Sequence, residues 1–301
     1  RDFARLFNPH VYLYTEMIST GALIHGNRAR HLRFDTREHP IVLQLGGANI
    51  EEMTKCAEFA QQHNYDEVNI NVGCPSDRVQ HNKIGACLMA EPDTVAGLVK
   101  HMQAAVDIPV TVKHRIGIDD FDSYEFMAEF VQTVAAAGCN RFIVHARTAW
   151  LQGLSPKQNR EIPPLRYDDV YRLKQDFPQL DIEINGGIET VEDIKDHLQH
   201  IDGVMIGRAF YHNPYLLAET NSLWDKPIPK RSDILAEMIP YLRQQIEQGE
   251  ALTTISRHYL GLFQGLNGAR KWRQALSGKP SLTIEDIERA AAEVLGLNPE
   301  V

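Results

Sequence analysis

No run in this chain approaches the roughly 20 consecutive apolar residues needed to cross a bilayer. Its first residues, Arg1-Asp2-Phe3-Ala4-Arg5-Leu6-Phe7, are too polar for a secretory leader and include no initiator methionine. A soluble protein is therefore expected, with further sequence upstream of Arg1. Cysteine is scarce: Cys56, Cys74, Cys87 and Cys139 are the only four, and none forms a C-x-x-C pair. That excludes a disulfide framework and points to a reducing, cytoplasmic setting. Metal-ligand spacing is also lacking, because His197 and His200 have no evident third partner and read as a solvated helix face. No metal site is expected. Positive charge is outweighed, with 31 Lys and Arg against 40 Asp and Glu for a net charge of −9, which argues against a uniformly basic nucleic-acid binder. Residues 230–280 run the other way, with eight basic against four acidic residues, so a polyanion could dock there.

What is present is a repeating alternation. Short β-rich runs at 11–17, 41–46, 67–72, 109–116, 141–146, 181–185 and 203–206 are separated by helix-like stretches at 50–63, 94–105, 123–136 and 191–200. Their apolar, β-branched character matches βαβ repetition around a buried parallel sheet. Pattern alone leaves an open sheet and a barrel equally available. Seven strands is one short of a closed eight-stranded barrel, and residues 2–7 read as a helix, so a first strand is expected upstream of Arg1. After about Asn221 helical periodicity takes over, with Ser232, Thr253, Asn267 and Thr283 at expected N-cap positions. The expected organisation is a (β/α)8 TIM-type barrel over 1–227 and an all-helical domain over 228–301.

In such a barrel the active face is built from the C-terminal ends of the strands, so polar residues there are informative. They recur: Gln44, then Asn71 and Cys74, Lys113 and Arg115, His145 and Arg147, Asn185-Gly186-Gly187, and Gly207-Arg208. Glycine lets backbone N–H groups approach an anion and arginine adds a forked cation, so the last two sets read as a phosphate cradle. A tight turn is the competing reading of Asn-Gly-Gly alone. Lys113 inside the ring of strand ends calls for an anionic or polar partner. A reduced flavin would supply one, and so would an ion pair at the barrel mouth. Cys74 precedes Pro75, which stops the strand and leaves the thiol over the mouth. A thiol of ordinary acidity is protonated at neutral pH and can serve as a general acid. Cys56 and Cys139, in apolar settings, read as small buried hydrophobes.

These residues together resemble the tRNA-dihydrouridine synthase family. The likeness runs from Thr15-Glu16-Met17 through Val42-Leu43-Gln44-Leu45-Gly46, Asn69-Ile70-Asn71-Val72-Gly73-Cys74-Pro75, Val112-Lys113-His114-Arg115-Ile116-Gly117, His145-Ala146-Arg147, Ile184-Asn185-Gly186-Gly187 and Met205-Ile206-Gly207-Arg208 into the helical tail. The stretch 146–165 is similar to the bacterial A-type branch, which acts at tRNA positions 20 and 20a. The resemblance implies FMN held by Gln44, Lys113, His145, Asn185, Gly186, Gly187, Gly207 and Arg208, with NADPH as reductant. It implies hydride delivery from the flavin N5 to C6 of a uridine, a proton from Cys74 to C5, and Asn71 and Arg115 facing the uracil. It also implies a first strand with a Pro-Met stretch, and no such stretch precedes Arg1.

The target base must leave the folded tRNA to reach a flavin in a barrel mouth. Lys157, Arg160, Arg270 and Arg273 are the expected tRNA contacts. Trp272 could stack on a base, although a lone aromatic at helical spacing is more often packed in a core. A monomer with no protein partner and no membrane association is expected. Two other readings stand beside this one: a flavin-barrel oxidoreductase for a small molecule, and a non-catalytic RNA-binding module on a barrel relic.

Overall fold

The structure is a computed structural model and describes residues 1–76, 83–277 and 282–296. Lys279, counted above in the basic segment, and residues 77–82 lie outside the described residues. Among the described residues no helix is long and apolar enough to cross a membrane. The chain divides into two compact units, one formed by 11–188 with 194–205, the other by 1–10, 189–193 and 206–301.

The first unit carries eight strands in one sheet: β1 Leu13–Tyr14, β2 Ile18–Ser19, β3 Ile41–Gly46, β4 Glu67–Val72, β5 Val110–Arg115, β6 Arg141–His145, β7 Asp181–Asn185 and β8 Gly203–Met205. Every pairing is parallel, and the order β1-β3-β4-β5-β6-β7-β8 follows the chain, with β2 also on β3. Helices Ile50–Gln62, Pro92–Ala105, Tyr124–Ala136 and Tyr167–Asp176 return the chain between strands. This curled parallel sheet with helical crossovers is the architecture of a (β/α)8 TIM-type barrel.

The run expected as one strand over 11–17 is two strands. Tyr14 pairs with Val42 and Ile18 with Leu45, so four steps along the first run oppose three along β3. One extra residue is a bulge. Thr15 makes it tolerable, because its Oγ1 accepts the Gln44 N–H at 3.0 Å where a ladder carbonyl would otherwise be needed.

Strand alternation sorts the residues by face. Val68, Ile70 and Val72 of β4 and Val110, Val112 and His114 of β5 are buried, the face expected to meet the crossover helices. His114 packs between Phe130, at 5.1 Å, and Phe142, at 5.8 Å. The opposite face carries Gln44, Glu67, Asn69, Asn71, Thr111, Lys113, Arg115, Arg141, Glu183 and Asn185, so the concave side of the sheet is largely polar, with Val42, Ile143 and Met205 among its apolar members. At the base, Arg141 reaches Glu67 at 2.6 Å and Glu183 at 3.8 Å. Burial pushes the Glu183 carboxyl up to about 7 against the pull of Arg141, and raises Glu67 as well.

In the second unit Trp272 is fully buried, donates its indole N–H to Tyr259 O at 3.0 Å and meets Phe263 edge-on at 4.8 Å. Its role is packing, and base stacking is excluded. Of the expected N-caps, Thr283 caps Ile284–Leu295 with a capping box. Ser232 and Thr253 instead lie inside helices capped at Lys230 and Ala251, and Asn267 lies two residues before Ala269. Cys56 and Cys139 are buried, each thiol pushed up to about 12 by that burial.

Candidate active site

Five of the strand-end residues singled out by sequence fall into two register rows, while Gln44 pairs with Asn69 one row below. Asn71 pairs with Lys113, and Arg115, His145 and Asn185 pair in succession. Lys113 donates to Asn185 Oδ1 at 3.1 Å. Among the described residues no carboxylate pairs with it, and burial, then the Arg115 guanidinium, push its ammonium down to about 7. An anionic or carbonyl-rich ligand would restore its charge.

Asn71 organises the turn that holds Cys74. Its Oδ1 accepts the N–H groups of Gly73 at 3.1 Å and Cys74 at 2.9 Å, and its Nδ2 donates to Gln44 Oε1 at 2.8 Å. The Cys74 carbonyl accepts from Ala86 N at 2.9 Å, which ties the turn to the short 3-10 helix Gly85–Ala90. The thiol residue is half-exposed. A negative charge on Cys74 would raise the proton affinity of both Lys113 and Arg115, so the three share one electrostatic neighbourhood.

Below Asn71 the amides continue as a column. Gln44 Nε2 donates to Asn69 Oδ1 at 2.9 Å, Asn69 Nδ2 to Thr111 Oγ1 at 2.9 Å, and Thr111 Oγ1 to Glu67 Oε1 at 2.5 Å. Sequence reasoning missed Asn69, Thr111 and Glu67. Their signal was present as the period-two polar positions 67, 69 and 71 of β4 and 111, 113 and 115 of β5.

Arg115 is buried, and its guanidinium donates to the carbonyls of Gly73 at 3.1 Å, Thr148 at 3.4 Å and Asn159 at 2.8 Å. It joins the loops after β4 and β6. Asn159, also missed, is fully buried and grips Trp150 twice, accepting its N–H at 2.7 Å and donating to its carbonyl at 2.8 Å. Nothing in its sequence spacing marked it. Lys157 and Arg160 are exposed on this same loop, around the turn Gln158–Arg160.

After β7 the backbone at Gly186 and Gly187 is left-handed, with φ of 113° and 73°. A Cβ on Gly186 would lie 2.6 Å from the His145 ring, and one on Gly187 would lie 2.5 Å from Leu165. With His145, Leu165 and Tyr167 packed this closely and φ positive at both positions, the turn admits only glycine. The turn's amides, with the adjacent Lys113 ammonium, fit a cofactor with a phosphate tail and an electron-accepting ring.

Gly207 and Arg208 belong to the other unit, where Arg208 opens the helix Arg208–His212. Gly207 has open space where a Cβ would go. Arg270 is exposed on the helix Ala269–Ser277, and Arg273 donates to Gln264 at 3.0 Å.

Among the described residues no cluster of His, Cys, Asp and Glu could hold a metal ion. His197 is buried rather than solvated, since Tyr171 Oη lies 2.7 Å from its Nδ1. His200 lies beyond the helix Val191–His197 and stacks on Tyr171 at 4.4 Å.

A family model described as dihydrouridine synthase matches residues 1–292. The relative from Vibrio cholerae named tRNA-dihydrouridine(20/20a) synthase is 54% identical over 98% of this chain and 92% of its own length. Relatives of the same name from Shewanella oneidensis and from a Synechocystis species are each 56% identical over 92% of this chain, covering 83% and 84% of their own lengths. A match over nearly the whole chain, with the Cys74 turn, Lys113 and the double-glycine turn gathered at the strand ends, makes this chain a member of the dihydrouridine synthase family.

Proposed function

We propose that this chain reduces uridines in tRNA, at positions 20 and 20a, to 5,6-dihydrouridine, with FMN as cofactor and NADPH as reductant. The observation that carries the reading is Cys74, half-exposed, held through its backbone N–H by Asn71 and within electrostatic reach of the Lys113 ammonium. The cofactor's chemistry there is hydride delivery to C6 of the uracil. Cys74 donates the proton to C5, completing the addition of two hydrogens across the double bond, and its thiolate regains a proton from solvent.

Lys113 stabilises negative charge on the bound ring system, with Gln44, His145 and Asn185 as further ring or ribityl contacts. Gly186, Gly187, Gly207 and Arg208 hold the phosphate. Asn71 and Arg115 face the uracil, Asn71 also shaping the Cys74 turn and Arg115 also fixing the loops that border it. Residues 228–301 form a tRNA-binding domain that uses Arg270 and Arg273, with Lys157 and Arg160 adding contacts from the barrel. The relatives' names, the left-handed double-glycine turn and the exposed Lys157, Arg160 and Arg270 support this reading. We place the enzyme in the cytoplasm, as a monomer.

The test is NADPH oxidation in the presence of tRNA lacking dihydrouridine, with the modified position mapped by mass spectrometry. Turnover on that tRNA is expected, with the product at 20 and 20a. Comparable turnover of free uridine, uracil or dihydroorotate without turnover of tRNA would overturn it.

A further inference from the structure

The double-glycine turn after β7 does not hold its own shape. A peptide unit is planar and trans, so the Gly186 carbonyl and the Gly187 N–H point in opposite directions. Tyr167, at the start of the helix Tyr167–Asp176, donates its hydroxyl to Gly186 O at 2.8 Å. That bond draws the carbonyl toward the tyrosine and turns the Gly187 N–H the other way. The same hydroxyl would lie 2.8 Å from a Cβ on Gly187, so the tyrosine backs the α-carbon of the turn as well as its carbonyl.

Tyr167 is itself braced. Its ring meets His197 edge-on, with centroids 4.5 Å apart and planes at 75°. His197 is 5% exposed and is held in turn by the Tyr171 hydroxyl at 2.7 Å from Nδ1. Two glycines with positive φ would otherwise sample many orientations. A donor fixed in advance binds an anion better than one that must be ordered at the moment of binding.

We propose that Tyr167 is a positioning residue for phosphate binding: through Gly186 O it aims the Gly187 N–H at a phosphomonoester, the tail of FMN. This rests on the cofactor reading above. Riboflavin, which has the ring and ribityl chain but no phosphate, separates a role at the phosphate from a role in general packing, and inorganic phosphate tests the anion alone.

The experiment titrates the apoprotein with FMN and with riboflavin, following flavin fluorescence, for the wild type and Tyr167→Phe, which keeps the ring and its contact with His197. Loss of one hydrogen bond predicts an FMN Kd raised about fivefold in the variant. The riboflavin Kd is expected to change less than twofold, and inorganic phosphate is expected to compete with FMN less well in the variant. Equal FMN affinity in the two proteins, with the wild type still preferring FMN to riboflavin, would overturn the role of Tyr167 alone. An equal loss for FMN and riboflavin would reduce Tyr167 to packing and overturn it as well. A wild type that binds both flavins equally would overturn the phosphate cradle, and this proposal with it.

Discussion

Asn71 holds Cys74 by its backbone: the amide oxygen of one accepts the N–H of the other at 2.9 Å, three residues along the chain. The same oxygen takes the Gly73 N–H at 3.1 Å, so the turn before Pro75 is shaped by one side chain. Asn71→Ala removes the clamp and leaves the thiol in place. Dihydrouridine formation is expected to fall by about 10- to 100-fold with FMN content retained, measured as kcat on unmodified tRNA with the flavin absorbance in parallel.

Cys74→Ala removes the proton donor itself. FMN and tRNA binding are expected to persist while turnover falls by about 10²- to 10⁴-fold, checked by fluorescence titration, gel shift and product mapping. Near-normal product formation would remove the cysteine from the mechanism.

His114 makes the protein sensitive to acid. It is fully buried, its Nδ1 lies 2.7 Å from Arg115 O, and burial pushes its imidazolium down to about 4. The unfolded chain takes up its proton near pH 6.5, the folded protein only near 4, so the unfolded state binds more protons in between. Stability is therefore full above pH 6.5 and is lost as pH falls toward 4. His114→Leu is expected to remove a loss on the order of 3 kcal/mol from that window, read from urea midpoints at pH 7.5 and 4.5.

Arg141 neutralises the carboxylates at the base of the sheet, with Glu67 1% exposed. Arg141→Met leaves a buried acid unpaired and is expected to cost about 3 kcal/mol at pH 8. Because protonation relieves the unpaired charge, the deficit should shrink as pH falls through the raised carboxyl range. Denaturant midpoints of wild type and variant at pH 8 and pH 5.5 decide this.

Arg270→Ala with Arg273→Ala tests the helical grip on RNA. If both side chains neutralise phosphates, tRNA affinity falls and the slope of log K against log salt becomes shallower by about 1.5. An unchanged slope would place tRNA elsewhere.

Much of the sheet was legible because a parallel strand buried on both faces must be β-branched and short, as 41–46 and 67–72 are. The strand-end placement of Cys74 was legible from Pro75, and that of the double glycine from the run 181–185 before it. The bulge at Thr15 was not, because it depends on a hydroxyl replacing a ladder acceptor. The loop-bracing bonds of Arg115 were not legible, because its Nε and Nη1 donate to three carbonyls, two of them on a loop more than 30 residues away. Tyr167 could not be found, since only folding brings its hydroxyl to a glycine 19 residues later.

The amide column under Asn71 has a polarity. At its lower end Glu67, when ionised, can only accept, and at its upper end the Gly73 and Cys74 N–H groups can only donate. Both ends impose the same direction, so Gln44, Asn69 and Asn71 each have a single permitted amide orientation. Replacing one amide by its isosteric acid would set two acceptors face to face, and no neighbour could turn round without breaking the next link. These positions are therefore a single grammatical unit: their side chains can be rewritten together, from one end to the other, but not one at a time.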